Sequence, residues 1–180
     1  GKWAQQGKLK ITDEPEAAQQ FEVVMDTLES NGFIQYEISN YAKPGFESRH
    51  NSSYWQRKKY LGIGPSAHSY NGNTRQFNVR NNYHYVQALN TGKIPYEIEQ
   101  LTLANKINEY IFTSLRTNIG CSLAVLKRDY DYDLTALPGN PLLKMANQNL
   151  ITLKADTVLL TRSGKLVADQ LAMEFFASEK

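Results

Sequence analysis

The chain predicts a mixed α/β fold, α+β over its whole length, in which β/α elements are followed by a helical module of winged-helix character. Three observations carry this. Residues 13–38 join an apolar stripe at helical spacing to an alternating strand. Residues 60–79 place short strand formers around a strong hairpin signal, Asn71-Gly72-Asn73. Beyond residue 100 come three helical stretches, a short hairpin and a closing helix.

Thr12 or Asp13 can cap the first helix, whose opening turn holds Glu14, Pro15 and Glu16, all favourable at a helix N-terminus. Asn31-Gly32 ends it, and between these points Ala17, Phe21, Val24, Met25 and Leu28 form one stripe to lay against a sheet. Phe33 to Ile38 alternates and is rich in strand formers. Asn40 to Tyr54, with Pro44, Gly45 and several serines and asparagines, reads as a long loop. Tyr60 to Ile63 is a short strand candidate, and Gly62, Gly64 and Pro65 mark a tight turn or a close backbone approach. Ala67 to Tyr70 continues it, and the chain returns through Thr74 to Val79.

Asn81 or Asn82 caps a helix running to Thr91 and stopped by Gly92, with Tyr85, Val86 and Leu89 on one face. Lys93 to Gln100 reads as a connector, which sets domain limits of 1–92 and 101–180 around a 93–100 link. Thr102 then caps a helix with Leu103, Ile107, Tyr110, Ile111 and Leu115 at core spacing. A second helix follows Gly120 with Ser122 as its cap, and Asn140-Pro141 announces a third. Ile151 to Leu153 and Thr157 to Leu160 flank Lys154-Ala155-Asp156 as a small hairpin. Thr161 caps a last helix carrying Leu166, Val167, Leu171, Phe175 and Phe176.

A hydrophobic content of 41% in 180 residues is enough for a real core. The net charge of +2, from 20 basic and 18 acidic residues, is too balanced to imply nucleic acid or an anionic membrane. One cysteine, Cys121, rules out an internal disulfide and any thiolate cluster within this sequence. No apolar run approaches a membrane span, and Gly1 to Lys10 lacks the apolar segment of a secretory signal, so a cytoplasmic protein is expected. The opening residues, around Trp3, read like the middle of something longer.

Core patterning leaves Tyr36 to Tyr70 unexplained, and this stretch reads as the wall of a ligand site. His50 stands beside Arg49 and Asn51, with Tyr54 and Trp55 just beyond, so an imidazole, an amide and a flat aromatic wall can face one ligand. Neutral imidazole is a common axial ligand for heme iron, whereas a solvated or hydrogen-bonded structural histidine is the plainer alternative. His68, near the glycine turn, is placed to face the same cavity, and His84 falls on the polar side of its helix. Arg49, Arg57, Lys58 and Lys59 form a basic patch suited to carboxylates such as heme propionates, to phosphates or to an acidic partner; a solvated loop explains it equally well. Gly62-Ile63-Gly64 has the spacing of neither a dinucleotide fingerprint nor a P-loop. Cys121, on an apolar stretch, is assigned no role. As a DNA reader, the third helix offers only Lys144, and the wing's Lys154, Arg162 and Lys165 are offset by Asp156, so nucleic acid is disfavoured.

The segments YEISNYAKPGF, RHNSSYW and YLGIGPSAHSY, followed by NEYIFTSLRTNIG and LLTRSGKLVADQLAMEFF, resemble the C-terminal half of radical-SAM proteins of the oxygen-independent coproporphyrinogen III oxidase-like family, in its HemW-type heme-chaperone branch. The resemblance implies the last elements of a partial (β/α) barrel ending near residue 80 and a winged-helix C-terminal domain covering it. In longer relatives an upstream CxxxCxxC motif holds a [4Fe–4S] cluster that binds S-adenosylmethionine. That motif is missing from this sequence, so by resemblance both groups belong to a longer parent and this fragment is expected to be inactive alone.

In the oxidases of the family, the segment aligned with Asn51 to Tyr54 and the strand end near His68 lie beside a second S-adenosylmethionine. The HNSSYW run and the Ala67-His68 end match the chaperone branch instead. His50 is then a candidate heme contact with Asn51, Tyr54 and Trp55 as walls, and Gly62, Gly64, Ser66, Ala67 and His68 are candidate cofactor-facing residues. The partners implied are heme or another porphyrin, heme-accepting membrane proteins and a second copy of the chain, with the parent cytoplasmic or peripheral at a membrane. A fragment of a coproporphyrinogen III oxidase and a nucleic-acid-binding winged helix are the alternatives.

Overall fold

Asp13 opens the first ordered element: its carboxylate accepts from the Glu16 backbone N–H at 2.9 Å, capping helix α1, Glu14–Ser30. The structure, a computed structural model, describes residues 6, 7 and 13–179, so Thr12 lies outside the described residues. Two compact units divide the chain, residues 1–47 and 48–180.

In the first unit α1 turns its Ala18, Phe21, Met25 and Leu28 line inward, and only Met25 is fully buried; Ala17 and Val24 of the expected stripe are exposed. Strand β1, Ile34–Glu37, follows as expected, but the predicted long loop after it begins with a second strand, β2, Asn40–Ala42, paired antiparallel to β1. A side chain closes this tight turn. The buried Glu37 carboxylate accepts from the Ser39 backbone N–H at 2.9 Å and from Asn40 Nδ2 at 2.6 Å, while Gln35 Nε2 donates to the Ile38 carbonyl at 2.7 Å. The hairpin is built by polar side chains and carries no glycine turn signal, which is why spacing alone read it as loop.

The second unit starts with a helix where a loop was expected. Ser48 Oγ accepts from the Asn51 backbone N–H at 3.2 Å and starts α2, Arg49–Trp55. Residues 61–63 are not a strand: Tyr60 alone bridges Tyr70, and Leu61 and Ile63 are exposed. Strands β3, His68–Tyr70, β4, Thr74–Asn78, and β5, Tyr96–Gln100, form an antiparallel sheet in that order. The Asn71 side chain holds the predicted turn, accepting from the Asn73 and Thr74 N–H groups at 2.9 and 2.8 Å. Helix α3, Asn82–Asn90, is capped by Asn81 and left at Thr91 and Gly92, as its sequence foretold, with Tyr85 buried and Val86 and Leu89 exposed. Lys93 to Gln100, expected as a connector, instead supplies β5, in register with β4 from Asn78↔Tyr96 to Thr74↔Gln100. Every β5 residue is exposed, so this edge strand lacks the buried alternation that marks a strand in sequence.

The helices that follow match their signals closely. Thr102 and Asn105 form a reciprocal cap on α4, Leu103–Leu115, Ser122 caps α5, Leu123–Tyr130, and Asn140 caps α6, Pro141–Asn147. Strands β7, Ile151–Lys154, and β8, Thr157–Leu160, form the hairpin across a two-residue turn. A short strand, β6, Cys121–Ser122, joins β8 to complete a three-stranded sheet in the order β6-β8-β7, the arrangement of a winged helix. The expected closing helix is two, α7, Arg162–Leu166, and α8, Ala168–Met173, broken at Val167, and Phe175 and Phe176 lie beyond both. Gly164 packs so closely on the Leu150 carbonyl that a Cβ there would overlap it, which fixes α7 against the backbone leading into β7. Ile107, Ile111, Leu115, Leu126, Leu134, Val158 and Phe175 form the dry core of this module.

Candidate functional site

His50 lies on the exposed side of α2, one turn from Tyr54, and their rings meet edge-on at 4.9 Å. Tyr54 in turn meets Tyr60 at 4.8 Å, and Tyr60 meets Tyr70 at 6.1 Å. A histidine-headed ladder of four rings thus runs from α2 to β3. Trp55 leaves the ladder for the winged-helix side, where the Arg116 guanidinium lies 5.5 Å from its ring and 5.4 Å from Phe112. Asn51, the fourth residue of the predicted wall, is half-buried and gives its backbone N–H to the Ser48 cap.

The glycine turn has a structural explanation. Gly62 lets residues 60–64 approach the His68 backbone so closely that any Cβ would clash with the His68 carbonyl. Its N–H donates to Ser69 Oγ at 3.0 Å, and buried Asn78 donates to the Gly64 and Gly62 carbonyls at 3.0 and 3.4 Å. Gly64 N–H reaches Tyr85 Oη at 3.3 Å, and Ser66, held at a φ of +61°, gives its N–H to the Val79 carbonyl at 3.1 Å. Ala67 N–H closes the turn on the Gly64 carbonyl. His68 is exposed and sets its ring edge-on to Phe77 at 4.7 Å, outside the ladder that holds His50.

A cavity of about 480 Å³ opens between α2, the β3–β5 sheet and α4. Of the proposed heme-wall and cofactor-facing residues, Tyr54 alone lines it, joined by Arg57 of the basic patch. Tyr60, Tyr70, Phe112 and Phe176 supply further apolar wall, and Arg57, Arg75, Glu99 and Glu109 the charged part. These residues come from four separated stretches of chain, and no local spacing signals their meeting. Arg75 is ion-paired with Glu99 at 3.6 Å and with Glu109. Arg57, just past the end of α2 at a φ of +53°, donates Nη1 to Tyr130 Oη at 2.7 Å and sets its guanidinium against both the Tyr110 and Tyr130 rings. Burial alone would lower its pKa, but its hydrogen bonds to Tyr130 and Tyr70 outweigh that and raise it further. The basic patch of the sequence is therefore dispersed: Arg57 turns inward while Arg49, Lys58 and Lys59 stay exposed.

Desolvation pushes the Tyr60 hydroxyl above its ordinary range and Tyr110 up to about 12. Cys121 is fully buried in β6, and burial raises its thiol to about 11 despite a hydrogen bond with Ser114, so near neutral pH it is a protonated core residue. Among the described residues no group of three or more His, Cys, Asp or Glu is placed to hold a metal ion, and none of the helices is long and apolar enough to cross a membrane.

No protein-family model matches the chain. A heme chaperone HemW of Bacillus subtilis is 36% identical to it over 168 residues, covering 93% of this chain and 44% of that protein. Along most of its length the chain is HemW-like in sequence. A second relative of that name, from Lactococcus lactis, is 31% identical over 96% of this chain and 45% of its own length. A mitochondrial radical S-adenosyl methionine domain-containing protein 1 of Mus musculus is 48% identical over 64 residues, 36% of this chain and 14% of that protein. The fold of this HemW-like chain matches that of the radical SAM enzyme coproporphyrinogen III oxidase of Escherichia coli with a TM-score of 0.72 at 18% identity, over 97% of this chain and 44% of the other. The mixed α/β class read from sequence is confirmed by that likeness. The chain spans less than half the length of the HemW relatives it matches along most of its length.

Proposed function

We propose that this chain forms the C-terminal part of a heme chaperone and that α2 presents His50 to heme, with Tyr54 as the flat wall beside it and Asn51 and Trp55 supporting the helix from its other sides. The observation that carries the reading is the His50–Tyr54–Tyr60 ring ladder on an exposed helix face, which offers an accessible imidazole beside flat apolar surface. Heme is cargo here, and its iron supplies the Lewis-acid centre that a neutral imidazole binds. The HemW names of the relatives support the same reading. In it, residues 1–92 close a radical-SAM barrel and 101–180 form the winged-helix domain, and residues 93–100 pass from one to the other through the edge strand β5. The described residues do not fit an iron–sulfur cluster, because Cys121 is the one cysteine in the sequence and is buried. The cluster and S-adenosylmethionine thus fall to residues of a longer protein.

Heme titrated into the chain and into His50→Ala, with the Soret band followed, tests this. A shifted band and affinity reduced at least tenfold in the variant are expected; an unchanged band and affinity remove His50 from the ligand role. The fold likeness to the oxidase carries no activity at 18% identity. Coproporphyrinogen III supplied with S-adenosylmethionine to the reconstituted longer protein is expected to give no protoporphyrinogen, and its formation would replace this reading with the oxidase one.

A further inference from the structure

We infer that the cavity between α2, the β3–β5 sheet and α4 is a second binding site, which takes a flat aromatic carboxylate through its ring walls and Arg57 without any bond to a metal. The inference rests on the heme reading for the class of ligand and not for the site. Tyr54, Tyr60 and Tyr70 line one part of the cavity as a continuous series of ring contacts, and Phe112 and Phe176 line another. Aromatic walls around about 480 Å³ suit a flat hydrophobic ligand, and the volume lies in the usual range of small-molecule sites.

The charges indicate what else the ligand carries. Arg75 is already matched by two carboxylates, Glu99 and Glu109. Arg57 is matched by phenols and by no carboxylate: Nη1 meets Tyr130 Oη, Tyr70 accepts a second hydrogen bond, and its Nε is buried with no hydrogen-bond partner. A guanidinium in this setting gains most from an anion with two acceptor oxygens. It is also pre-positioned, since the Tyr110 and Tyr130 rings hold it at 5.6 and 5.7 Å and its backbone occupies a left-handed conformation that a non-glycine residue adopts at a cost. Tyr54 belongs both to this cavity and to the ladder headed by His50, so the two sites adjoin.

Metal-free protoporphyrin IX is the probe, because it has the rings and the carboxylates and no iron for His50. Its fluorescence is followed as it is titrated into the whole chain, into Thr113→Trp and into His50→Ala. Thr113 lines the cavity and its hydroxyl bonds only carbonyls of its own helix, so a tryptophan there fills the space without removing a contact to another element. Saturable binding is expected in the wild type and in His50→Ala, with at least tenfold weaker binding in Thr113→Trp. The dimethyl ester of the same porphyrin, which lacks the charges, is expected to bind the wild-type chain at least tenfold more weakly. This arm needs no variant and therefore does not depend on one folding. Absence of saturable porphyrin binding to the wild type, full binding to a folded Thr113→Trp, or equal binding of the ester overturns the inference. Heme binding lost in His50→Ala with porphyrin binding kept upholds both sites; heme binding unchanged in that variant defeats the His50 reading and leaves this one standing.

Discussion

Residues 48–100 and residues 101–179 solve the problem of holding a chain together in different ways. The winged-helix module is organised around side chains with almost no exposure, Ile111, Leu115, Leu126, Val158 and Phe175 among them. The sheet region before it buries little apolar surface. It relies on Asn78 and Ser69 bonding to a glycine turn, on the close backbone approach at Gly62, and on ring edges meeting between α2 and β3. Apolar burial is additive and tolerant, whereas hydrogen-bonded turns are local and specific. The difference places the rigid part of the molecule beside a part whose aromatic and polar groups remain available to a ligand.

The sharpest way to break the comparison is Phe175→Ala. Loss of this fully buried ring is expected to destabilise the module by about 3–5 kcal/mol, read as a lower urea midpoint. A smaller effect comes from pH. Because the folded-state thiol of Cys121 sits at about 11, above its ordinary value of 9.0, its contribution is complete below pH 9 and is lost as pH rises from there through 11. The size is about 2–3 kcal/mol for a shift of that order, and Cys121→Ala should flatten this part of the stability profile measured by thermal unfolding against pH. Tyr110, raised to about 12, should leave a further alkaline decline in that variant.

Asn78→Ala sharpens the contrast from the other side. Removing the donor to the Gly62 and Gly64 carbonyls should cost about 1–3 kcal/mol. The loss should appear in hydrogen exchange as faster opening of residues 60–70, with helix α4 still protected; uniform loss of protection would mean that the two regions unfold as one. His50→Ala is expected to have the smallest effect on stability, within about 0.5 kcal/mol, since the side chain is exposed. A thermal midpoint close to wild type, alongside the altered Soret band, would separate a ligand role from a structural one.

Capped helices were legible because a cap is a local event. Asp13, Asn81, Thr102, Ser122, Asn140 and Thr161 each bond within three residues of themselves, and each helix start was found from that signal. Ser48 gives the same signal before α2, but the prolines, glycines and serines around it outweighed it in a reading by composition. Strand β2 was missed because it is short and its turn is closed by polar side chains, and β5 and β6 because they are exposed or short and their partners lie elsewhere in the chain. The RHNSSYW and GIGPSAHSY runs by themselves determined the family likeness and singled out His50, Asn51, Tyr54 and Trp55, since those residues stand at fixed separations.

Tertiary structure alone decided what surrounds them. It sent Trp55 to Arg116, tied Tyr54 to Tyr60, spent Gly62 on a close approach to His68, and drew Arg57 inward to Tyr130. It also assembled a cavity from α2, β4, β5, α4 and the residues after α8. Local sequence sets which backbone conformation a residue prefers, through caps, turns and periodicity. A cavity depends on which distant side chains fail to fill a common space, and that is settled only when all the elements have packed.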